Sequence, residues 1–258
     1  MVASNQKILE TISTPVSLTI AIPAFNEEHG IEKTIKTIQL AAEKANLTSY
    51  EILIINDGSS DKTGYIVSKF QENEPRVRMV CNEKNEGLGY SIKRAIKLAT
   101  GDRFIIIPGD NDMPLKAILT LFNNINVADI VMLYFQNEEI RGKLRYFLSS
   151  IFRLIYVLTY DIYVMYLNGP AIYPTNELKN LHLKSDRFSL IAEINTKLLS
   201  KGLSYAEFCG VRQRGMEGST SFSVANLLEA IKAYFTTFIE LKFKNKYNIK
   251  PKRINTYN

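Results

Sequence analysis

Arg103-Phe-Ile-Ile-Ile-Pro-Gly-Asp-Asn-Asp-Met-Pro114 is the stretch on which the reading of the fold turns. Phe104 to Ile107 are continuously apolar, as in a strand covered on both faces in the middle of a parallel sheet. Pro108-Gly109 ends that strand, and Asp110 and Asp112 follow at once. In extended backbone, residues i and i+2 point the same way, so both carboxylates can reach one hard cation or the oxygens of one phosphate. Pro114 then fixes a backbone angle suited to opening a helix. Acids at the carboxyl end of a buried strand stand where open α/β sheets bind ligands. Gly-Asp-Asn-Asp is also ordinary turn chemistry, so this stretch alone leaves a binding site and a polar turn both open.

Outward from it, strands and helices alternate. Val16 to Ile22 reads as a strand ended by Pro23, followed by Ala24-Phe-Asn-Glu-Glu28 and then a helical face of Ile31, Ile35, Ile38 and Ala42. Tyr50 to Asn56 is a second, almost wholly apolar strand that runs into Asp57-Gly-Ser-Ser-Asp-Lys-Thr63, where Ser60 or Asp61 can cap the next helix. Arg76 to Cys81 is a third strand, leading to Asn85-Glu-Gly-Leu-Gly89 and a helix through Ala99. After the opening stretch come a helix from Pro114 to Asn124 and a fifth strand, Asp129 to Leu133. This rhythm predicts an α/β fold with a doubly wound, mostly parallel sheet flanked by helices.

The second half differs in character. Leu144 to Leu167 is a long helical stretch with aromatics almost all round, and Asn168 to Pro174 is a loop or short strand. Leu190 to Ser200 reads as a helix and Leu203 to Val211 as a strand, before a polar loop, Arg212 to Ser221. An amphipathic helix, Phe222 to Phe243, and a basic tail with Lys250, Lys252 and Arg253 close the chain.

Composition narrows the classes. At 258 residues, 46% hydrophobic and 22% charged, the chain is globular and long enough to bury a full core. Its net charge of +6 suits an anionic lipid surface or a phosphorylated substrate. Nucleic acid is disfavoured, because the basic residues lie away from exposed aromatic strands. Cys81 and Cys209, far apart in apolar settings, read as buried thiols, consistent with a reducing, cytoplasmic compartment. With only His29 and His182, a histidine-based zinc centre is excluded. Residues 1 to 14 lack the apolar core of a signal peptide, and Arg153 and Asp161 interrupt the longest apolar region, so no membrane span is expected.

Three of the first four strands end in acid or amide side chains: Asn26 to Glu28, Asn56 with Asp57, and Asp110 to Asp112. In a parallel sheet those ends share one edge, which suggests a nucleotide whose phosphates a metal bridges. Each group also has an ordinary structural use. Asn26 to Glu28 can simply start a helix, Asp57-Gly58 can be a strand-to-helix turn, Gly87 and Gly89 can be packing glycines, and Asp61 and Thr63 read as caps.

Taken in order, Pro23-Ala-Phe-Asn-Glu-Glu28, Asn56 to Thr63, Asn85 to Gly89 and Asp110-Asn-Asp112 resemble the motifs of family-2 glycosyltransferases of the GT-A fold. The resemblance implies inverting transfer of a sugar from a UDP- or GDP-linked donor. It places Pro23, Ala24, Asn26, Glu28, Asp57, Asn85, Gly87 and Asp110 at the nucleotide sugar. Asp110 and Asp112 would hold Mg or Mn, with Asp112 also in the catalytic set. The chain departs from the usual pattern in carrying Asn111, where a small residue is common, after Gly109.

Beyond residue 135 the likeness narrows to the branch of dolichyl-phosphate mannose synthase and bacterial polyprenyl-phosphate sugar transferases. It implies a lipid-linked phosphate acceptor. Arg141, Arg145 and Ser149, four apart, would share one helical face toward that phosphate; a solvated basic face is the other reading. Arg212 or Arg214, with Ser219 in Gly-Ser-Thr-Ser221, resembles the branch's active-site loop. Glu193 matches its acceptor-side acid, a base if the acceptor were a hydroxyl, or else an exposed helical acid.

The expected organisation is one domain over 1–258. A nucleotide-sugar half (15–135) precedes an acceptor half (136–221) and an amphipathic helix with basic tail (222–258). The aromatic and amphipathic helices suit the cytoplasmic surface of a membrane, peripherally bound, or else pack on the catalytic domain or a second subunit of a homo-oligomer. Competing functions are transfer to a glycan hydroxyl in cell-surface polysaccharide synthesis and non-catalytic nucleotide-sugar binding. A sugar-nucleotide pyrophosphorylase is disfavoured, since Pro23-Ala-Phe-Asn-Glu27 is not its glycine-rich, arginine-containing loop.

Overall fold

A computed structural model describes residues 16–136, 143–187, 189–211, 224–244 and 249–256; for 143–149, 224–227 and 244 only the backbone is described. The first half alternates as expected: β1 (Leu18–Ala24), α1 (Ile31–Lys44), β2 (Tyr50–Asn56), α2 (Thr63–Asn73), β3 (Val77–Cys81), α3 (Leu88–Leu98), β4 (Arg103–Ile106), α4 (Leu115–Asn123) and β5 (Ile130–Phe135). The second half supplies α5 (Lys143–Tyr160), β6 (Ala171–Pro174), α6 (Thr175–Lys179), α7 (Ser189–Ser200), β7 (Tyr205–Gly210), α8 (Val224–Ile239) and a π-helical turn, Glu240–Lys244.

The strands join one sheet in the order β3-β2-β1-β4-β6-β5-β7, in which only β6 runs antiparallel to its neighbours. Both faces are covered. Ile20, Ile22, Ile52, Ile54 and Ile105 pack under α1 and α4, and Leu53, Ile55 and Phe104 pack under α3, α5 and α7. Coverage on both sides is why β1, β2 and β4 read as continuous apolar runs rather than alternating ones.

Pro23 does not end β1, as expected, but lies within it, paired opposite Ile55. Alternation along the strand turns Pro23 toward β4, where the last bond, from Ile107 N–H to Ala21 O at 2.9 Å, has already been made. The missing N–H therefore costs the ladder nothing. The long aromatic helix stops at Tyr160 rather than Leu167, because Asp161 takes a left-handed φ of 57°. Of its described aromatics, Tyr156 and Tyr160 are buried. Tyr156 and Tyr160 pack edge-on against Tyr234 of α8, whose hydroxyl is 2.7 Å from Thr159 Oγ1. The outward stripes are Ile151, Leu154, Ile155 and Leu158 on α5, and Leu228, Ile231, Phe235 and Ile239 on α8.

Two further expectations fail. Cys81 and Cys209 are free but exposed, because each lies near the end of a strand, beyond the cover of the flanking helices. The basic tail is not wholly free to meet headgroups. Residues 249–256 lie along the β7 edge, with Tyr205 N–H donating to Lys252 O and Ile254 N–H to Tyr205 O. Lys250 pairs with Asp161 and Arg253 with the buried Glu207. This docking also covers an otherwise open sheet edge.

Glu207 accepts a bond from Met165 N–H at 2.6 Å and forms an ion pair with the Arg253 guanidinium at 3.1 Å, although burial pushes its carboxyl up from the usual range. Removing one partner of such a pair strands a buried charge. Arg253→Ala is therefore expected to lower stability by about 1–3 kcal/mol in urea unfolding, and adding Glu207→Gln should recover much of that loss.

Candidate active site

The sheet order sets the site. β1 is flanked by β2 on one side and β4 on the other, so the connections leave it in opposite directions and open a crevice at its carboxyl end. The edge is level. Ala24 pairs with Asn56, Asp57 N–H donates to Ala24 O at 2.8 Å, and Asn82 N–H donates to Asn56 O at 2.8 Å.

The loops at this edge are bonded to one another. Asn26, at φ 56°, accepts Ser60 N–H through its side-chain oxygen at 2.9 Å, and its own N–H donates to Ser59 Oγ at 3.0 Å. Glu27 N–H donates to Thr63 Oγ1 at 2.8 Å, Glu28 N–H donates to Asp61 Oδ2 at 3.0 Å, and Glu28 Oε2 accepts Lys62 N–H at 3.1 Å. Asp61 also receives the N–H of Thr63 at 2.9 Å; the N-cap of α2 is Lys62, without a side-chain cap bond, so Asp61 joins two loops rather than taking the expected cap position. Gly30 lies so close to the acid-bearing loop that a Cβ there would stand 2.7 Å from Gly109 O and 2.8 Å from Asp110 Cα. Gly58, at φ 69°, lies equally tight on Lys84 of the loop after β3.

Asp110, Asn26, Glu28 and Asp57 thus belong to one contiguous group of loops, with Pro23 and Ala24 at the strand end beneath them. The route by which Asp110 and Asp112 come together differs from expectation. Asn111 has a φ of 60°, so the backbone turns rather than extends, and Asp110 Oδ1 accepts Asp112 N–H at 3.0 Å. Thr37 Oγ1 donates to Asn111 Oδ1 at 3.3 Å and Thr34 Oγ1 to Gly109 O at 3.0 Å, docking this turn on α1. Gly-Asp-Asn-Asp is therefore a polar turn, docked on α1.

Asp57 is buried, and its carboxylate accepts Asn82 Nδ2, Glu86 N–H and Gly87 N–H. It anchors the loop after β3, in which Asn85 Oδ1 also meets Gly87 N–H at 3.0 Å. Gly87 and Gly89 divide the two roles left open for them. Gly87, at φ 92°, faces open space, whereas a Cβ on Gly89 would strike the backbone of Asp186 at 2.4 Å.

Two groups at this edge escaped the sequence reading. Glu27, between the named Asn26 and Glu28, is pushed up to about 7 by burial first and then by the carboxylates of Asp110 and Asp61. Asn82 ends β3 as Asn56 ends β2, so the same strand-end rule identifies it.

The donor set fits a hard divalent cation. Asp110 and Asp112 offer carboxylate oxygens, and the effect of Asp110 on Glu27 registers the negative charge concentrated here. Among the described residues no group of three protein ligands forms, so a cation here would complete its shell with phosphate oxygens and water.

In the second half, Glu193 is not an exposed helical acid. It is 1% exposed, accepts Lys184 N–H and Ser185 N–H, and pairs with Lys197 Nζ at 2.8 Å. Lys197 also meets Glu240 at 2.9 Å and His182 O at 2.5 Å, so its three donors each find an acceptor. Arg145 and Ser149 lie one turn apart on α5 by backbone position. Arg141, Arg212, Arg214 and Ser219 lie outside the described residues.

Comparison with known proteins agrees with this edge. The sequence profile of "Glycosyl transferase family 2" matches residues 19–166. Dolichyl-phosphate beta-glucosyltransferase of Trichomonas vaginalis is 29% identical over 170 residues, 60% of this chain and 53% of that one. A prophage bactoprenol glucosyl transferase homolog of Escherichia coli is 31% identical over 133 residues, 50% and 42% of the two chains. Dolichol-phosphate mannosyltransferase of Pyrococcus furiosus is 29% identical over 118 residues, 45% and 32%. This chain therefore spans roughly a third to a half of the length of these relatives. Among solved structures, glucosyl-3-phosphoglycerate synthase of Mycobacterium tuberculosis, in complex with Mn2+, UDP-glucose and phosphoglyceric acid, superposes with a TM-score of 0.66. It covers 86% of this chain and 80% of its own at 18% identity, a likeness of fold.

Glu27 yields a pH test. In the folded chain it holds its proton to about 7, while an unfolded glutamate releases it near 4.5. The folded state then binds more protons across that window, so this group's contribution to stability falls as pH rises through it. Glu27→Gln should match the parent below about pH 4 and melt at a higher temperature above about pH 8, measured by thermal unfolding.

Proposed function

We propose, from the premise that this chain belongs to glycosyl transferase family 2, that it is an inverting transferase. It moves a sugar from a UDP- or GDP-linked donor to a polyprenyl phosphate at a membrane surface. The observation that carries this reading is the bonding of the loops after β1, β2, β3 and β4 into one crevice. The turn that carries the two acids after β4 lies against the loop after β1 through Gly109 and Asp110. Residues suited to nucleoside, diphosphate and cation then face one ligand.

In this reading the loops of Asn26, Glu28 and Asp57 seat the nucleoside, and Asn85 and Gly87 border the donor. Asp110 and Asp112 would hold Mg or Mn across the diphosphate. That cation would supply charge neutralisation for the departing nucleoside diphosphate. The acceptor attacks the anomeric carbon from the face opposite the leaving group, hence inversion. The loops' mutual bonds hold the reacting groups in place before the sugar arrives, so little reorganisation accompanies the transfer.

Two observations support a lipid-linked phosphate acceptor. The relatives compared above carry dolichyl-phosphate, dolichol-phosphate and bactoprenol transferase names. The outward stripes of α5 and α8 offer apolar side chains, Leu158 being 76% exposed, to the acyl boundary of a bilayer. Among the described residues no helix is long and apolar enough to cross one, so the contact is peripheral, on the cytoplasmic face in this reading. Arg145 and Ser149, with Arg141, Arg212, Arg214 and Ser219, are the groups assigned to the acceptor phosphate and the loop above it.

Glu193 bears on the alternative, a glycan hydroxyl acceptor. A hydroxyl needs a base, but both Glu193 oxygens are already engaged by Lys197 and two N–H groups; a phosphate, already anionic, needs none.

Nucleotide release is the direct assay. Donor turnover should require polyprenyl phosphate and a divalent ion, and Asp112→Asn should cut it about 10²–10³-fold. Glu193→Gln should stay within about tenfold of the parent; a collapse in turnover with intact donor binding would refute the phosphate acceptor. Leu154→Glu with Leu158→Glu should abolish co-sedimentation with anionic vesicles while leaving donor binding unchanged.

A further inference from the structure

Asp57 has less to offer a ligand than a carboxylate usually does. It is 3% exposed, and Oδ1 already accepts Asn82 Nδ2 at 2.5 Å and Glu86 N–H at 3.0 Å, while Oδ2 accepts Gly87 N–H at 2.8 Å. An ionised carboxylate has about four lone-pair positions. Among the described residues, the partners of Asp57 leave one of them, on Oδ2.

The orientation of the Asn82 amide follows from its neighbours. Arg94 can only donate, and its guanidinium meets Asn82 Oδ1 while also bonding Cys81 O at 2.9 Å. The Asn82 NH₂ must therefore face Asp57, which can only accept, and it reaches the buried Ser91 Oγ at 3.3 Å. Flipping the amide would set donor against donor at Arg94 and acceptor against acceptor at Asp57. Asn82 is itself buried, so water does not readily take its place.

We infer that Asn82, locked by Arg94, is a specificity-determining residue that restricts the donor to a base with a single imide N–H, of the uracil or thymine type, and disfavours guanine. The inference rests on the reading in which Asp57 meets the nucleoside. Guanine presents an imino N–H and an amino group side by side, a pair that binds a carboxylate through both oxygens. Here Oδ1 is filled, so one guanine donor would enter the site without an acceptor. The imide N–H of uracil or thymine needs only the remaining Oδ2 position. Its two flanking carbonyls ask for donors instead, which a loop rich in backbone N–H groups can supply.

The test is calorimetric titration of the full chain with UDP, dTDP and GDP, each with Mn2+. UDP and dTDP should bind about tenfold or more tightly than GDP, the usual scale for a buried donor left unpaired. Asn82→Ala frees Oδ1 and should shrink that ratio several-fold; Arg94→Met, which releases the amide from its lock, should shift it in the same direction by less. A purely structural role would weaken all three nucleotides together and leave the ratio alone. Thermal unfolding of each variant identifies misfolding, and Arg94→Met decides the matter if Asn82→Ala does not fold. GDP binding as tightly as UDP to the parent, or an unchanged ratio in a folded variant, overturns the inference. Failure of all three nucleotides to bind the parent overturns the donor-site reading beneath it.

Discussion

A parallel sheet brings its strand ends to one edge, and the polar groups that emerge there must find partners. In this chain they find one another. Asn26, Glu28 and Asp61 join the loops after β1 and β2, Asp57 holds the loop after β3, and Thr34 and Thr37 of α1 hold the loop after β4. Backbone packs on backbone at Gly30 and Gly58, where there is no room for a Cβ. Such a mesh cannot shift one loop without disturbing the next, and so it holds the four loops in a fixed relation. Its cost is crowding of like charge, visible in the proton that Glu27 retains beside Asp110 and Asp61. A site that concentrates carboxylates in this way is matched to a cation and the phosphates that accompany it.

The second half solves a different problem. α7 is buried along almost its whole length yet carries Glu193, Asn195, Thr196 and Lys197. It tolerates the two charges, Glu193 and Lys197, because Lys197, Glu193, Glu240 and Lys184 neutralise one another and adjacent backbone N–H groups bond the Glu193 carboxylate. This network ties the turn after α8 to the segment 182–186, whose Asp186 receives Gly89 N–H from the first turn of α3. The helix with the outward apolar stripe is thus joined through packed polar groups to the first turn of α3. The outer stripes of α5 and α8 remain apolar because their aromatic partners were spent on each other, Tyr156 and Tyr160 against Tyr234.

Much of the first half was readable residue by residue. The apolar runs of β2 and β4 declared a doubly covered sheet, and the acids and amides after β1, β2 and β4 declared its working edge. Pro23 misled, because a proline ends a strand only if its missing N–H was needed, and that depends on where β4 stops. Glu27 was passed over because its charge state is set first by burial and then by Asp110, far along the chain. Glu193 looked like an isolated acid on an apolar helix; Lys197, one turn further along the same helix, neutralises it, and the second acid that this lysine meets, Glu240, comes from a different element. The exposed Cys81 and Cys209 and the engaged Arg253 likewise depend on which elements happen to cover them.

By itself, the sequence determined the alternation of elements, the order of the motifs and the family to which they belong, since apolar periodicity and turn residues report geometry within a few positions. Which side chain meets which was decided only by the tertiary structure. Asn82 reaches Asp57 across 25 positions and Ser60 reaches Asn26 across 34, contacts created by the order of strands in the sheet. Local patterns carry no record of that order, and so the position left on Asp57 and the proton on Glu27 became legible only once the strands were laid side by side.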